Sequence, residues 1–473
     1  MDLNKIKKLV EEHSVCAIDL KYCGIDGKRY HITFPVSRLE AAISDGVAFS
    51  GSSLPGMGSI ESGDRIIKPD LNTVYVNKTE SGNVIEVLGT ICDAVTGVGF
   101  SKDPRSVANR AQEYMKSTGI ADESFWIPEL EFYVFEGAEI RNQKYDSGFR
   151  LSSGQGKDCL AEGDTDILNM GQQEREVYHI NTPFDRYFNI RQQAVNEMEK
   201  RGINVKYHHP EVGIAGQQEI ETEPSLFPKI CDDVLIMKDI VRQSALDYEC
   251  TATFMPKPIY NEAGSGLHFH IMLRKQGKNV FWKKGNYADL SDEALYFIGG
   301  VLKHAPSLTA FCNPSTNSFK RLLPGFYAPV KLFYGLANRC AAIRIPNYLH
   351  TEAVKRIEYR PGDATANPYL AMSAILIAGL DGIQNKINPT DNGFGPFDDN
   401  VFNWSKQKQD KLKSLPTNLE EALKALQKDN AYLLKNGVFT QELIDTWIEL
   451  KMKEVNAIAN RPHPYEMNLY YNL

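Results

Sequence analysis

Residues 127–135 have the sequence Ile-Pro-Glu-Leu-Glu-Phe-Tyr-Val-Phe, an apolar run interrupted by Glu129 and Glu131. On a β-strand these two acids project from the same face, because successive side chains alternate between faces. Two carboxylates among apolar neighbours repel each other unless positive charge lies between them, and a hard divalent cation would supply it. The alternative is an ordinary solvated face of a strand.

A second acidic pair follows, where residues 208–211 are His-His-Pro-Glu and residues 216–219 are Gly-Gln-Gln-Glu. Only a short glycine-containing turn separates Glu211 from Glu219, so both carboxylates could converge on one cation. Surface acids beside a turn would explain the same pattern.

A pair of histidines lies in residues 263–271, Ala-Gly-Ser-Gly-Leu-His-Phe-His-Ile. On a strand, His268 and His270 present their imidazoles to one face, and the preceding glycines let a ligand approach the backbone. The alternative is a pair of core histidines.

Arginines spaced along short elements form the last group. Guanidinium groups in such a series suit phosphates or a substrate carboxylate, although any one of them could lie on a solvated face. Acids with one or two histidines favour Mg²⁺ or Mn²⁺ over zinc, and arginine with Mg²⁺ suggests nucleotide phosphate. The usual P-loop, Rossmann and kinase glycine signatures are absent from the sequence. The arginines are Arg321, Arg339, Arg344, Arg356 and Arg360.

Composition limits the class of protein. The chain has 473 residues, 53 basic and 60 acidic side chains and a net charge of −7, which argues against nucleic acid or an anionic membrane as the main partner. Its eight cysteines form no C-x-x-C pair, so we expect free thiols in a reducing cytoplasm. The longest apolar stretch, residues 369–380, is shorter than the roughly 20 residues that span a bilayer and predicts a buried helix.

The chain is expected to be α+β, with a small first domain at 1–102 and a larger one at 103–473. Asp26-Gly27 predicts a hairpin, and Asp103-Pro104 predicts the start of a helix. Thr417-x-x-Glu420 predicts a capping box. The apolar end, residues 463–473, is expected to dock on its own domain or on another subunit.

These segments, in this order, resemble the glutamine synthetase family, type I. The resemblance runs over nearly the whole chain. It rests on residues 49–53, 103–105, 129–131, 215–217, 264–270, 313–325, 338–346, 366–370 and 463–464.

The resemblance implies a β-grasp N-terminal domain, a glutamine synthetase catalytic domain and a homo-oligomer, a dodecamer of two stacked hexameric rings. Each active site would lie between neighbouring subunits and include the neighbour's N-terminal loop, and the apolar tail would link the rings. The implied reaction has two steps: ATP phosphorylates the γ-carboxylate of glutamate, and ammonia then displaces the phosphate.

The resemblance also implies roles for individual residues. One Mg²⁺ or Mn²⁺ would be held by Glu131, Glu211 and Glu219, and a second by Glu129, His268 and Glu358. Glutamate would be bound by Arg321, Arg360, Glu131 and the Gly264 backbone. The ATP phosphates and the transferred phosphoryl group would be contacted by His270, Arg339, Arg344 and Arg356. The ammonium subsite would include Tyr178 and Glu211.

Two departures from the family pattern fall on that ammonium subsite. Ser50 stands where the family has an aspartate that helps bind and deprotonate ammonium, and Tyr327 replaces the glutamate of the family's flap. Losing two charged partners weakens binding of a small cation, because each pair at 4 Å contributes about 4 kcal/mol at an effective dielectric of about 20. Pro210 also interrupts the family's usual His-His-Glu.

Three interpretations follow. The chain could join glutamate to an amine larger than ammonia. The small Ser50 would leave room for it, and the neutral Tyr327 could make cation–π contact with an alkylammonium. It could be glutamine synthetase proper, with the missing charge supplied by another residue. It could also be a non-catalytic assembly, although retained metal-ligand positions argue against that because unused clusters of charge destabilise a fold.

Overall fold

The computed structural model describes residues 2–174, 176–324 and 328–473. It has the expected α+β composition, with a small N-terminal sheet and a larger sheet in the remainder of the chain. In the described part of the chain, no helix is long and apolar enough to cross a membrane.

The N-terminal unit is a twisted sheet with helices beside it. Its helices are α1 (Leu3–Glu12) and α2 (Leu39–Ser44). Its strands are β1 (Val15–Cys23), β2 (Arg29–Pro35), β3 (Val47–Ser50), β4 (Asp64–Thr79) and β5 (Gly82–Asp93). The strand order is β2–β1–β5–β4–β3, with β1 and β5 parallel and the other neighbours antiparallel.

The β1–β2 hairpin forms where Asp26-Gly27 predicted it. Gly27 adopts a φ of +79°, which favours glycine because a side chain clashes with the backbone there. An added Cβ would also lie 3.3 Å from the backbone of Asn367, so the turn packs against the second domain.

The larger unit combines a mixed sheet with surrounding helices. Its strands are β6 (Glu123–Phe135), β7 (Gly137–Asn142), β8 (Ser147–Ser152), β9 (Val205–Pro210), β10 (Gln217–Thr222), β11 (Ser225–Leu226), β12 (Thr251–Thr253), β13 (Leu267–Lys275), β14 (Lys278–Asn279), β15 (Tyr334–Leu336), β16 (Ile343–Ile345) and β17 (Ile357–Tyr359). Its helices are α3 (Pro104–Ser117), α4 (Phe188–Lys200), α5 (Lys229–Leu246), α6 (Asp292–Cys312), α7 (Ser318–Arg321), α8 (Pro368–Gln384), α9 (Lys406–Gln409), α10 (Leu419–Lys428), α11 (Gln441–Ala459) and α12 (Pro464–Tyr470).

The sheet runs β15–β16–β17–β13–β6–β10–β9, with β11 and β12 pairing with β6 and β14 pairing with β13. The strands β7 and β8 form a separate hairpin. Helices α6 and α8 are buried over most of their length, which confirms the buried helix predicted from residues 369–380.

Helix α3 begins as the sequence indicated. The Asp103 carboxylate accepts a hydrogen bond of 2.7 Å from the Ser106 N–H, and Pro104 occupies the first helical position. Burial raises the pKa of Asp103 to about 6, against the effect of its hydrogen bonds with Ser106. The segment between the end of β5 and the start of α3 contains the proposed domain boundary near residue 102, which stays a prediction.

The capping box near residue 417 was predicted one position too early. The N-cap of α10 is Asn418, whose side chain accepts the Glu421 N–H at 2.8 Å, while Thr417 donates to the Glu421 carboxylate. Asparagine caps as well as threonine does, and this register buries Leu419 and Leu423 on the inner face of α10.

The C-terminal tail does not dock on its own domain. In α12 and beyond, Tyr471 is 79% exposed and Leu473 is 98% exposed. Docking on its own domain, one of the two expected outcomes, is therefore wrong, and docking on another subunit stays a prediction. The eight cysteines are free and most of them are buried, as expected.

Candidate active site

The predicted metal-ligand side chains meet on one face of the large sheet. Glu129 on β6 lies opposite His268 on β13, and Glu131 lies opposite Glu219 on β10. Opposed residues on antiparallel strands share a face, so the adjacency predicted for Glu129 and Glu131 is present. We call the following residues the carboxylate cluster: Glu129, Glu131, Glu211, Glu219, Glu221 and Glu358.

One part of the cluster surrounds Glu129. Its carboxylate oxygens lie 2.9 Å from His268 Nδ1 and 2.7 Å from His270 Nε2. Ligand atoms of Glu129, His270 and Glu358 all lie within 4.8 Å of one another. His268 Nδ1 lies 3.8 Å from Glu358 Oε1, so both imidazoles border this position and either could complete a cation site.

Cationic neighbours decide how these two acids ionise. Burial opposes ionisation of Glu129, but His270 and His268 hold the pKa of its carboxyl group well below the ordinary value. Burial likewise opposes ionisation of Glu358, and Arg360 outweighs it to bring the pKa to about 2. Both acids are therefore carboxylates at neutral pH.

A second part of the cluster lies around Glu211 and Glu219. Ligand atoms of His209, Glu211 and Glu219 fall within 4.8 Å of one another. Burial and then Glu131 raise the pKa of Glu211 to about 8, and burial with Glu129 raises the pKa of Glu219 well above its ordinary value. Negative charge therefore exceeds positive charge around Glu211 and Glu219. A bound Mg²⁺ or Mn²⁺ would reduce the repulsion between these carboxylates.

Glu131 has a different environment from the other acids. One oxygen accepts the Gly266 N–H at 2.7 Å and faces the Gln217 amide at 3.3 Å. Its other oxygen lies 3.9 Å from His268 Nε2. Hydrogen bonds therefore hold this carboxylate between the two parts of the cluster.

Two arginines contact the cluster, and three arginines have unused donors. Arg344 and Arg360 both donate to the Glu358 carboxylate. The buried Nε atoms of Arg344, Arg356 and Arg360 have no hydrogen-bond partner among the described residues. Buried guanidinium donors without partners suit an anion such as phosphate or carboxylate.

Arg321 explains the glycine-rich stretch before His268. The Arg321 guanidinium donates to the carbonyls of Pro361 at 2.8 Å and Gly362 at 3.1 Å, and it lies 3.4 Å from His268 Nε2. A Cβ at Gly264 would lie 2.7 Å from Arg321 Cγ. Because Gly264 has no side chain, the Arg321 side chain can pack against its backbone. The sequence had predicted only that a ligand would approach there.

The residues expected at the ammonium subsite are only partly brought together. Tyr178, 41% exposed, stacks on His179 with ring centroids 4.1 Å apart, and it lies 5.5 Å from the His209 ring. Burial, followed by the charge of Glu211, raises the pKa of the Tyr178 phenol, and the Arg339 guanidinium lies beside it.

Ser50 is exposed at the end of β3, and its Oγ lies 2.8 Å from Ser52 Oγ. No described contact within the chain joins Ser50 to the carboxylate cluster. Tyr327 and the adjacent Gly325 and Phe326 lie outside the described residues, and the role of Tyr327 stays a prediction.

The sequence-based assignment missed three members of this site. Gln217 donates to Glu131, Glu221 accepts from Lys206 at 2.8 Å, and His209 joins Glu211 and Glu219. A signal was available for Glu221, because it lies two residues after Glu219 and shares its face. For His209, alternation with Glu211 was only a weak signal, because its place in the site depends on the register of β9 on β10.

The sequence and the fold were compared with known proteins. A family model described as the glutamine synthetase beta-Grasp domain matches residues 14–96, and one described as the glutamine synthetase catalytic domain matches residues 101–470.

Individual proteins agree with these family models. Glutamine synthetase of Streptomyces filamentosus is 39% identical, over 99% of each chain, and that of Neisseria gonorrhoeae is 40% identical, over 100% of each. A cryo-EM structure of Plasmodium falciparum glutamine synthetase matches with a TM-score of 0.90 and 29% identity, covering 100% of this chain and 99% of that one. The resemblance drawn from the motifs is confirmed, and the chain belongs to the glutamine synthetase family of ATP-dependent glutamate ligases.

Proposed function

We propose that this chain activates glutamate with ATP as γ-glutamyl phosphate and joins it to an amine other than ammonia. The observation that carries the choice of amine is Ser50, a neutral and exposed side chain where the family's loop has a carboxylate. The rest of the glutamate and phosphate machinery is retained in the sequence. The departure at position 50 is therefore expected to alter binding of the nucleophile and to leave binding of glutamate and ATP unchanged.

The acids provide the positions for two divalent cations. Glu131, Glu211 and Glu219 would hold one, and Glu129, His268 and Glu358 the other. The donor set fits Mg²⁺ or Mn²⁺, because carboxylate oxygens dominate it and the raised pKa values of Glu211 and Glu219 record unbalanced negative charge. When bound, such ions neutralise charge on the transferred phosphoryl group.

The arginines bind the two anionic substrates. Arg344 and Arg356, with His270 and Arg339, would contact the ATP phosphates and the transferred phosphoryl group. The buried, unpartnered Nε atoms of Arg344 and Arg356 support this assignment. Held in place before substrate arrives, such donors stabilise charge in the transition state without reorganisation.

Glutamate would be bound through its α-carboxylate and its amino group. Arg321 and Arg360 would hold the carboxylate, and the Gly264 backbone would contact the amino group. Arg321 is 3% exposed and its orientation is fixed by two backbone carbonyls. A guanidinium with its orientation fixed in this way is suited to binding a carboxylate at a defined angle.

The amine would enter beside Tyr178 and Glu211, and the family pattern implies that Tyr327 and the neighbouring subunit's position 50 complete the subsite. The stacked rings of Tyr178 and His179 provide an aromatic wall. Such a wall favours an alkylammonium, which carries less tightly bound water than NH₄⁺ and makes cation–π contact.

Glutamine synthetase proper is the second candidate. Two observations favour it: the full-length relatives at 39% and 40% identity carry that name, and Tyr178 and Glu211 remain in the ammonium subsite. The non-catalytic interpretation is not kept, because the chain belongs to a family of ligases.

The deciding experiment measures ADP release by the purified protein with Mg²⁺ or Mn²⁺, ATP and glutamate. The nucleophiles compared are ammonium, methylamine, ethylamine, isopropylamine, ethanolamine, putrescine and spermidine. We expect the largest kcat/KM with an organic amine. A larger kcat/KM with ammonium than with every amine would instead establish glutamine synthetase.

A substitution at position 50 tests whether Ser50 sets the preference between ammonium and an organic amine. Ser50→Asp should raise kcat/KM for ammonium about 10-fold, which corresponds to about 1.4 kcal/mol, and lower it for the preferred amine. Ser52→Asp, two residues away on the same loop, is the matched control. No gain with ammonium would contradict the role given to Ser50.

We also propose that the chain assembles into the family's dodecamer and works in the cytoplasm. The exposed apolar tail supports assembly, because Tyr471 and Leu473 are left uncovered by the single chain. Size measurement by light scattering would test the oligomer.

A further inference from the structure

His209 has no role in the assignment made from the sequence, yet the structure places it among metal-ligating side chains. We propose that His209 supplies a nitrogen ligand to the cation held by Glu211 and Glu219. The inference rests on the metal-binding part of the proposed function and adds to it a ligand that the family pattern does not provide.

The backbone sets the position of this imidazole. In the antiparallel pairing of β9 with β10, His209 lies directly opposite Glu219, so both side chains project from the face that carries the carboxylate cluster. His209 Nε2 lies 3.7 Å from Glu219 Oε1. One ligand atom each of His209, Glu211 and Glu219 falls within 4.8 Å of the others, so a small shift of the side chains would bring them to the roughly 3 Å expected between adjacent ligands of an ion with bonds of about 2.1 Å.

The hydrogen bond at the other ring nitrogen fixes the tautomer. His209 Nδ1 lies 3.0 Å from the carbonyl oxygen of Pro210, which can only accept, so Nδ1 carries the proton and Nε2 keeps its lone pair. A lone pair facing the Glu219 carboxylate is unfavourable unless a cation lies between them. A backbone carbonyl bonded to one ring nitrogen is also the usual support of a metal-ligating histidine.

Neighbouring rings hold the imidazole in this orientation. The His179 ring lies 4.2 Å from His209 and the Tyr207 ring 5.8 Å away, both measured between centroids. The His209 side chain is only 14% exposed. A side chain confined in this way has little rotamer freedom left to lose when it binds an ion.

His209 adds to the ligands proposed for this cation and does not replace Glu131. One Glu131 oxygen is bound by Gly266 and Gln217, which leaves the other oxygen for the cation. The group of ligand atoms that forms with Glu211 and Glu219 also contains His209. An added imidazole also shifts preference from Mg²⁺ toward Mn²⁺, because nitrogen ligands suit transition metals better.

Calorimetric titration of the full chain with Mn²⁺ and with Mg²⁺, without ATP or glutamate, tests the proposal. We expect His209→Ala to weaken Mn²⁺ binding at one site by about 10- to 100-fold and Mg²⁺ binding less. His179→Ala, which removes a packing neighbour outside the donor group, should change Mn²⁺ affinity by less than about 3-fold. Wild-type Mn²⁺ affinity in His209→Ala would overturn the proposal.

A second measurement does not depend on the His209→Ala variant folding. Mn²⁺ bound to the His268→Ala/His270→Ala double variant should still show nitrogen coupling in electron spin-echo envelope modulation. Loss of that coupling while Mn²⁺ stays bound would overturn the proposal. If the wild-type protein binds neither metal, the metal sites of the proposed function fail as well, which separates the two claims.

Discussion

The chain contains two groups of charged side chains, one buried and one partly buried, that differ in the balance of positive and negative charge. The carboxylate cluster gathers six acids on one face of a sheet. The other group, which we call the His304 clasp (His304, Asp381, Asp429 and Lys435), joins α6 and α8 to the segment that follows α10. In the clasp, His304 lies 2.8 Å from Asp429 and 3.1 Å from Asp381, and Lys435 lies 2.6 Å from Asp381.

The two groups shift the pKa values of their acids in opposite directions. Burial opposes ionisation of Asp381, but His304 and Lys435 hold the pKa of its carboxyl group below the ordinary value. At Glu219 burial and neighbouring acids act together and raise the pKa. The clasp therefore has its partners within the chain, whereas the cluster around Glu219 is complete only with a cation.

Removing a cluster acid should have the largest effect on turnover. Glu129→Ala removes the carboxylate that both His268 and His270 contact, so ADP release should fall by about 10³-fold or more. Glu139→Ala, an exposed acid on β7, should leave turnover unchanged. Substantial ADP release by Glu129→Ala would refute the assignment of the metal site.

Removing the centre of the clasp should instead reduce stability. His304→Ala leaves Asp381 with Lys435 as its remaining cationic partner and should lower the free energy of unfolding by about 1–3 kcal/mol. Mn²⁺ affinity per folded protomer should not change. Denaturant unfolding of His304→Ala and of the exposed control His350→Ala measures the difference; equal losses would show that the clasp has no special role.

The same comparison shows how far the sequence could predict the molecule. Alternation along one strand was enough to place Glu129 and Glu131 on one face, and the Asp103-Pro104 signal was enough to locate α3. The family resemblance supplied the two-domain fold. These features depend on local spacing or on an ordered set of motifs, both of which are visible in the chain.

The features that were missed depend on pairing between distant segments. His209 reaches the cluster through the register of β9 on β10, and the clasp joins His304 to Asp429 across 125 positions of sequence. The capping box was misplaced by one residue because Thr417 and Asn418 are both good caps, and burial of Leu419 decides between them. Register and packing of this kind are not encoded in any single window of residues.

Metal binding should stabilise the cluster and leave the clasp unaffected. Mn²⁺ at 100 times its dissociation constant should raise the free energy of unfolding by about 2.7 kcal/mol. Glu219→Gln removes one of the repelling charges, so this variant should be more stable than wild type without metal. With affinity weakened about 100-fold, its gain from the same Mn²⁺ concentration should fall to about 0.4 kcal/mol.

Chemical denaturation with and without Mn²⁺ measures both quantities. An undiminished Mn²⁺ gain in Glu219→Gln would contradict the role of this acid as a ligand. Asp381→Asn is the matched control, because it also neutralises a buried acid. It should lose stability without metal and keep the full Mn²⁺ gain.

The pH dependence of stability should separate the two groups by their response to metal. Hydrogen bonds with Asp381 and Asp429 raise the pKa of His304 despite its burial, so its contribution is fully present below pH 6.5 and is lost as pH rises through the folded pKa. The pKa of Asp381 is lowered, so its contribution is present above pH 3.8 and is lost as pH falls.

In the cluster the sign for an acid is reversed. The folded pKa of Glu211, about 8, lies above its ordinary value of 4.5, so the metal-free protein should lose stability as pH rises from 4.5 to about 8. Saturating Mn²⁺ should remove this loss, because the cation favours the ionised carboxylate, and should leave the His304 slope in place. Unfolding curves between pH 5 and pH 9 measure both slopes. If Mn²⁺ removed the entire slope of the wild-type protein, the clasp would not be the independent group that its geometry indicates.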